Sequence, residues 1–548
     1  MKTELFSRSQ QSFLRLFRLQ PQSNLSTPGS PSLNSERGSG GEVNPRDPLI
    51  LFFAILGVVI YVLASQLIGG GTGFPLDDSW IHQTYGRNLA QTGQWQYVPG
   101  VESAGSTSPF FTLLLAVGYF LHLPIFVWTY GLGALALALG GLVGARMADR
   151  LFPKLPHTGL WTGLAIVSAW HLVWAAASGM ETVLFAAWSL LVFALAWAAI
   201  NENEDNRTRF RRGAIFGVAG AVLIAIRPEG VVLVGLLVLL MAISAAGSRS
   251  ALVALTAFIA GALIGGLIGI APYALLNLHL NGTLLPNTFS AKQAENAQLL
   301  TQPFLVNLWA MVQPLTAGGQ LLLVPGAIWT TFELMRQNPR KQLIYLAPLL
   351  WTGLLILIYT LRLPAYYQHG RYVMPAIPPF IVMGVGGTLS LVASARRSRQ
   401  LLMRVIARSL VTTALAVFMV FWIIGAQVYA SEVHAINSDM LVASKWLATN
   451  VTPDQLLAVH DIGAVGYFAP RPILDLAGLI SPEVIPIIRD GPALMGLMQQ
   501  RGVHYLMVLP SQLPTASNDP RLCQHFNANG AMGGMAIYEL AWDGHCSG

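Results

Sequence analysis

The residues with the clearest chemical potential begin at Asp77-Asp78-Ser79-Trp80-Ile81-His82, just after the first long apolar run of the chain. Two adjacent carboxylates with an imidazole one helical turn on can deprotonate a hydroxyl or hold a divalent cation. Further ionisable groups recur in short motifs between apolar runs. Glu181 stands in "SGMET", Arg227 and Glu229 in "RPEG", Asn287 and Lys292 in "LPNTFSAK", and His369 and Arg371 in "YYQHGRYVMPAIP". Such cations can hold the charge of a phosphate, Arg through its bidentate fork. Each motif also has a structural reading. The aspartates can cap an amphipathic helix whose stripe is Ile81, Tyr85 and Leu89. Arg227 before Pro228 can end a span and snorkel, Pro286-Asn287 can be a turn, and His369-Gly370-Arg371 can meet lipid headgroups. Glu181, alone between two apolar segments, demands a partner or a chemical role.

The elements that must position these groups are membrane spans. Hydrophobic residues make up 54% of the 548 and charged residues 10%, which excludes a soluble globular domain. The chain reads as an all-α polytopic membrane protein of about 11 spans, with 13 as the upper bound, followed by a small α/β domain. Spans fall near 48–68, 158–177, 180–200, 213–227, 231–247, 251–276, 318–334, 343–361, 373–394 and 409–430, with a further block at 108–146 broken at His122-Leu123-Pro124. Residues 1–47 read as a disordered cytoplasmic tail with a basic amphipathic patch, Phe13–Leu19, and no cleavable signal. Residues 48–430 form the membrane domain, with 69–107 as its first extracytoplasmic loop, and 431–548 form the soluble domain. The net charge of +7 sits in short loops and the N-terminal tail, a pattern of anionic lipid contact and not of nucleic acid.

Positive charge orients the spans. Arg146, Arg150 and Lys154; Arg207, Arg209, Arg211 and Arg212; Arg336, Arg340 and Lys341; and Arg396 to Arg408 form four clusters that belong in the cytoplasm. With one crossing in block 108–146, every polar motif and the C-terminal domain then fall on the extracytoplasmic face. In that domain "LLAVHDIGAVGYFAP" reads as a strand followed by a turn, with His460-Asp461 at the turn or facing the cleft, and "RGVHYLMVLP" as a buried strand. The chain's two cysteines, Cys523 and Cys546, both lie there, and an oxidising compartment favours their pairing.

The motif order resembles the GT-C glycosyltransferases. "LDDSWIHQTYGRNLAQTG" with "AGSTSPFFTLLLA", then "SGMET", "RPEG", "LPNTFSAK" and "HGRYVMPAIP", is similar to the bacterial group that includes mycobacterial arabinofuranosyltransferases. The likeness spans about residues 48–490 and departs at Trp80-Ile81-His82. It implies inverting transfer of a sugar from a polyprenyl-phosphate donor to a glycan, lipid or protein acceptor at the extracytoplasmic face of the plasma membrane. It implies that Asp77 or Asp78 is the general base and that the other positions substrate or metal. Arg227, Lys292, His369 and Arg371 would surround the phosphate, and Glu181 would contact sugar or metal; His82, Glu229 and Asn287 join them as substrate-binding candidates. Metal dependence varies in that superfamily, and Asp77, Asp78 and Glu181 permit a Mg²⁺ or Mn²⁺ site without requiring one. A lipid flippase or transporter would share the spans and buried charges, but typically with an internal repeat, which this chain lacks. A glycan ligase would typically lack the Asp-Asp pair.

The charge bias predicts that cysteines introduced into 69–107, 277–305 and 431–548 react with an impermeant maleimide on intact cells, while those in 201–212 and 395–408 do not. Labelling of 201–212 from outside would overturn the topology.

Overall fold

The computed structural model describes residues 44–200, 205–284, 288–336, 339–512, 519–544 and 546; most of the expected N-terminal tail, with Phe13–Leu19, lies outside them. The helices are α1 (Arg46–Ile68), α2 (Asp78–Thr92), α3 (Pro109–Phe120), α4 (Ile125–Leu151), α5 (Thr158–Val167), α6 (Trp170–Ala177), α7 (Thr182–Ala198), α8 (Asn206–Ile226), α9 (Gly230–Ala245) and α10 (Arg249–Asn281). They continue with α11 (Thr288–Glu295), α12 (Phe304–Thr316), α13 (Val324–Arg336), α14 (Ala347–Arg362), α15 (Ile377–Arg397), α16 (Leu401–Ile436), α17 (Val442–Asn450), α18 (Gly463–Phe468) and α19 (Gly491–Gln500).

Among the described residues, six helical segments are long and apolar enough to cross a membrane, and α5 with α6, bent by 53°, makes a seventh if counted as one span. Several expected spans correspond to shorter apolar helices, α7 and α9 among them. In block 108–146, α3 has 12 residues, about 18 Å at 1.5 Å per residue and too short to cross. It folds back on α4, where the Trp128 indole donates to the Leu114 carbonyl at 2.8 Å. The block therefore offers one crossing-length helix. The expected span at 318–334 is instead a 3₁₀ turn, Gly319–Leu323, leading into α13. Helix α12, between the expected loop 277–305 and this segment, precedes it; its 13 residues are too few to cross, and it buries Asn307, Met311 and Pro314.

Close helix approach comes from small residues. A β-carbon at Gly217 of α8 would lie 2.1 Å from the Ala262 carbonyl oxygen, and one at Gly261 of α10 would lie 2.0 Å from that of Phe210. These positions belong to Gly213-x-x-x-Gly217 and Gly261-x-x-x-Gly265, which let the two backbones touch. Basic groups gather at one end of the bundle. There Arg46 pairs with Asp149, Arg146 with Asp47 at 2.8 Å, and Arg150 donates to the Trp197 carbonyl at 2.6 Å. The polar motifs lie at the other end.

A two-stranded ribbon, β1 (Gln96–Val98) with β2 (Val101–Glu102), closes the first loop. The C-terminal sheet has the order β4-β3-β5-β7-β6, from β3 (Leu457–Val459), β4 (Ile473–Asp475), β5 (Tyr505–Val508), β6 (Leu522–Asn527) and β7 (Ala536–Leu540). Strand β3 is parallel to β4 and β5, while β7 is antiparallel to β5 and β6. Successive residues face opposite sides. Ala458, Leu506 and Val508 pack on α19 residues, whereas Leu457, Val459 and Met507 share one core with Phe74, Trp80, Ile81, Tyr85 and Tyr97 of the first loop and Ala291 of α11. The sheet thus builds one face against the membrane domain. Cys523 on β6 and Cys546 form the expected disulfide, with Cα atoms 5.5 Å apart.

Gly217→Leu should separate α8 from α10 at a cost on the order of 1–3 kcal/mol, read as a lower thermal-unfolding midpoint of the detergent-purified protein. An unchanged midpoint would show that the two glycines are incidental.

Candidate active site

Helix α2 starts the site. Its buried residues include Ile81 and Tyr85, and the Ser79 hydroxyl donates to the Ser178 carbonyl at 2.6 Å, pinning the helix start to the "SGMET" turn. The helix-cap reading of Asp77 fails, because its side chain makes no capping hydrogen bond. Both carboxylate oxygens instead accept backbone N–H groups of the sheet domain, from Gly463 at 2.6 Å and Ala464 at 2.8 Å. At the far end of the same short helix, α18, the Arg87 guanidinium donates to the Tyr467 carbonyl at 2.7 Å and that of Gly466 at 3.3 Å. The start of α2 and its Arg87 thus hold both ends of α18, a carboxyl group at its N–H end and a guanidinium at its carbonyl end. Gly463 permits the contact: a β-carbon there would lie 1.9 Å from the Asp77 carbonyl oxygen.

Asp78 faces elsewhere. It accepts from Arg371 and its side chain remains 25% exposed. Burial favours its neutral form, but Arg371 and Lys292 outweigh it and hold the carboxyl well below the usual range. Arg371 is 4% exposed, and its Nε and Nη1 are buried without a hydrogen-bond partner. Lys292 on α11 lies 3.3 Å from Glu295. Burial lowers the affinity of the Lys292 amine for its proton, but Asp78 and Glu295 raise it further, so the amine stays charged.

A second half of the network lies beneath. Arg227 does not snorkel: it is 6% exposed and donates to Glu181 at 3.3 Å, Glu229 at 3.1 Å and the Tyr359 hydroxyl at 2.8 Å. Tyr359 in turn donates to Glu229. Tyr372 links the halves, with Arg227 and Arg371 over its ring at 5.3 and 5.1 Å and Tyr359 stacked on it at 5.3 Å. His82 completes the path: its Nε2 lies 3.5 Å from Glu181, and its Nδ1 lies 3.2 Å from Thr112 and 3.4 Å from Ser106. Asp78, His82, Glu181, Arg227, Glu229, Lys292 and Arg371 therefore converge, while Asn287 lies outside the described residues.

His369 points away from this group. Gln368, His369 and Gly370 all take left-handed backbone (φ 54°, 57° and 67°), which turns the imidazole toward Glu432, 2.8 Å away, between Trp170 and Trp174. The expected sharing of one seat by His369 and Arg371 is corrected accordingly. His460-Asp461 stand at the turn after β3 and also face the membrane domain. His460 Nε2 lies 3.6 Å from Glu295, its Nδ1 lies 3.3 Å from Asp461, and Asp461 acts electrostatically on Asp77. Sequence reasoning missed Glu295, Tyr359, Gln512 and the role of Tyr372. Tyr372 stood inside a quoted motif, but Tyr359 is one aromatic among many at the end of an apolar span.

Asp77, Asp78 and Glu181 do not assemble as a metal ligand set, since each carboxylate is aimed at different donors. Among the described residues, no group of three or more His, Cys, Asp or Glu side chains is arranged to hold an ion. The arrangement can hold an anion at Arg371 and Lys292 beside a carboxylate able to accept a proton.

The fold is that of a multi-pass membrane protein of GT-C-like architecture with a C-terminal sheet domain. The chain is similar to ArnT from Cupriavidus metallidurans bound to undecaprenyl phosphate, at 16% identity and a TM-score of 0.59, covering 91% of this chain and 99% of that one. It is similar to the Archaeoglobus fulgidus oligosaccharyltransferase in complex with Zn and sulfate, at 12% identity and 0.58, covering 90% and 73%. It is also similar to the archaeal oligosaccharyltransferase AglB from Archaeoglobus fulgidus with an inhibitory peptide and a dolichol-phosphate, at 11% and 0.53, covering 91% and 74%. At these identities the likeness establishes the fold. Residues 422–542 match a family model described as a domain of unknown function (DUF8728). No curated protein matches the chain significantly.

Burial and Asp461 push Asp77 up to about 7, above the ordinary carboxylate value and despite its two N–H donors. The folded state therefore holds this proton more tightly than the unfolded state does. The resulting stability is full in acid and is lost as pH rises through about 7. The unfolding midpoint of the wild type should fall between pH about 5 and 8, and that of Asp77→Asn should change less over the same window. Parallel pH profiles would refute the assignment.

Proposed function

We propose that this protein is a membrane glycosyltransferase that moves a sugar from a polyprenyl-phosphate donor to an acceptor hydroxyl on the extracytoplasmic face, with inversion at the anomeric carbon. The observation that carries the reading is the Asp78–Arg371 pair, in which a partly exposed carboxylate touches a buried guanidinium with two unpartnered nitrogens. The names of similar proteins add support, because ArnT and AglB are described with undecaprenyl phosphate and dolichol-phosphate. The narrower resemblance to arabinofuranosyltransferases rests on motif order and keeps a pentofuranose among the donors to be tried.

Asp78 is the base and Asp77 the interdomain anchor. The acceptor oxygen attacks the anomeric carbon while the bond from that carbon to the phosphate oxygen breaks. Asp78 takes the acceptor proton, and the prenyl phosphate leaves with its charge held by Arg371 and Lys292. A carboxylate tied to a guanidinium is a weak base, so the donor phosphate must first draw Arg371 toward itself. Donor binding therefore precedes acceptor activation. His82, Glu181, Arg227 and Glu229 hold Tyr372 and so the direction of Arg371. A metal, if bound, would supply further charge for the leaving phosphate. Asp77 is spent on backbone donors and Glu181 is buried against Arg227 and His82, which leaves Asp78 as the partly exposed member of the three to hold one. The polar groups gather at one end of the bundle instead of at its middle, which favours transfer over transport.

Purified Asp78→Asn should fold and lose at least about a hundredfold in transfer of radiolabelled sugar from a panel of prenyl-phosphate donors. Arg371→Ala and Lys292→Ala should chiefly weaken donor use. Near-wild-type transfer by Asp78→Asn would remove the base assignment, and lipid movement across liposomes without transfer would favour a flippase.

A further inference from the structure

The sheet domain brings its own side chains up to α11 of the membrane domain. Strand β3 lies between β4 and β5, parallel to both; the chain leaves β3 through α18 to β4 on one side and reaches β5 on the other through α19. The carboxyl ends of β3 and β5 therefore flank a topological switch point, where open parallel sheets form a crevice for ligands. His460 and Asp461 follow β3 directly, and Gln512 follows β5. The Gln512 amide donates to Asp461 and lies 3.2 Å from His460 Nδ1, so the two strand ends share one polar cluster. Glu295 of α11 faces it from the membrane domain.

We propose that this crevice is the acceptor subsite, that His460 oriented by Asp461 binds the acceptor, and that the acceptor is a carbohydrate. The inference rests on the transferase reading above and names its second substrate. Its chemistry follows from the groups present. His460, Asp461, Glu295 and Gln512 mix donors and acceptors in one place, which suits hydroxyls, each of which both donates and accepts. The His460 to Glu295 distance of 3.6 Å exceeds a hydrogen bond, and those of His460 to Asp461 and of Lys292 to Glu295, both 3.3 Å, lie at its long edge. A hydroxyl can replace such loose contacts with short ones. Side chains of His460, Asp461 and Glu295 are 22%, 27% and 27% exposed, open enough to be reached. Lys292, bonded to Glu295, also acts electrostatically on Asp78, which puts the crevice next to the proposed base. The Asp77 and Arg87 clamp on α18 fixes its register there.

The test uses the full-length protein in nanodiscs, a donor that the wild type accepts, and octyl mono- and disaccharide glycosides as acceptors. Phosphatidylethanolamine and a peptide panel serve as acceptors of other classes. His460→Ala should raise the acceptor KM at least about tenfold, the equivalent of 1.4 kcal/mol, while the donor KM moves less than about twofold. Gln512→Ala, which approaches the crevice from β5, should shift the acceptor KM in the same direction and covers the case of a His460 variant that fails to fold. An unchanged acceptor KM in both variants overturns the subsite, and an equal rise in both KM values assigns His460 to the fold instead. Transfer only to phosphatidylethanolamine or peptide overturns the carbohydrate class. Wild-type protein that transfers from no donor would remove the transferase reading itself, and this inference with it.

Discussion

A buried guanidinium inside a membrane domain needs counter-charge, and the polar end of this bundle buries two. Arg227 and Arg371 are each less than a tenth exposed, and no carboxylate adjacent in sequence suffices for both. Arg227 takes Glu229 from its own motif and Glu181 from another turn; Arg371 takes Asp78 from the first loop. Neutralisation therefore forces four separate loops to one end of the bundle. Tyr372 presents its ring to both cations, a π-system that each contacts favourably.

Once the loops converge, the sheet domain has a platform. Its inner face completes a core with Phe74, Trp80, Tyr85 and Tyr97 instead of closing on itself, so burial of apolar surface holds it down without direction. Direction comes from the polar clamp. Asp77 and Arg87 stand nearly three turns apart along one helix and grip opposite ends of α18, which fixes both the position and the polarity of that segment. The two neighbouring aspartates consequently do different work, one as an anchor and the other as a participant in the cleft.

The remaining charge is asymmetric. Arg227 is saturated by carboxylates, whereas Arg371 retains two nitrogens without partners. An unpaired buried donor is costly, and here two belong to one guanidinium that pairs with Asp78. Any oxygen acceptor can meet these nitrogens, and the charge of Arg371 with Lys292 alongside favours an anionic one.

Composition and spacing determined a good deal. Apolar runs separated by short polar turns require membrane helices, because an unsatisfied backbone cannot sit in lipid. The Ile81, Tyr85 and Leu89 stripe required helix α2, and the lone Glu181 required a partner. Converging positions for Asp78, Glu181, Arg227, Lys292 and Arg371 followed from the same logic. What sequence could not decide is where adjacent side chains point. Asp77 and Asp78 differ by about 100° around a helix start, so one meets α18 and the other Arg371. Three consecutive left-handed residues reverse His369 away from Arg371 although a single glycine separates them. Glu295, Gln512 and His460 lie far apart in the chain and meet only because β3, β5 and α11 are packed together. Side-chain direction at a turn depends on backbone angles, and partners across the fold depend on packing; neither leaves a periodic trace in the sequence.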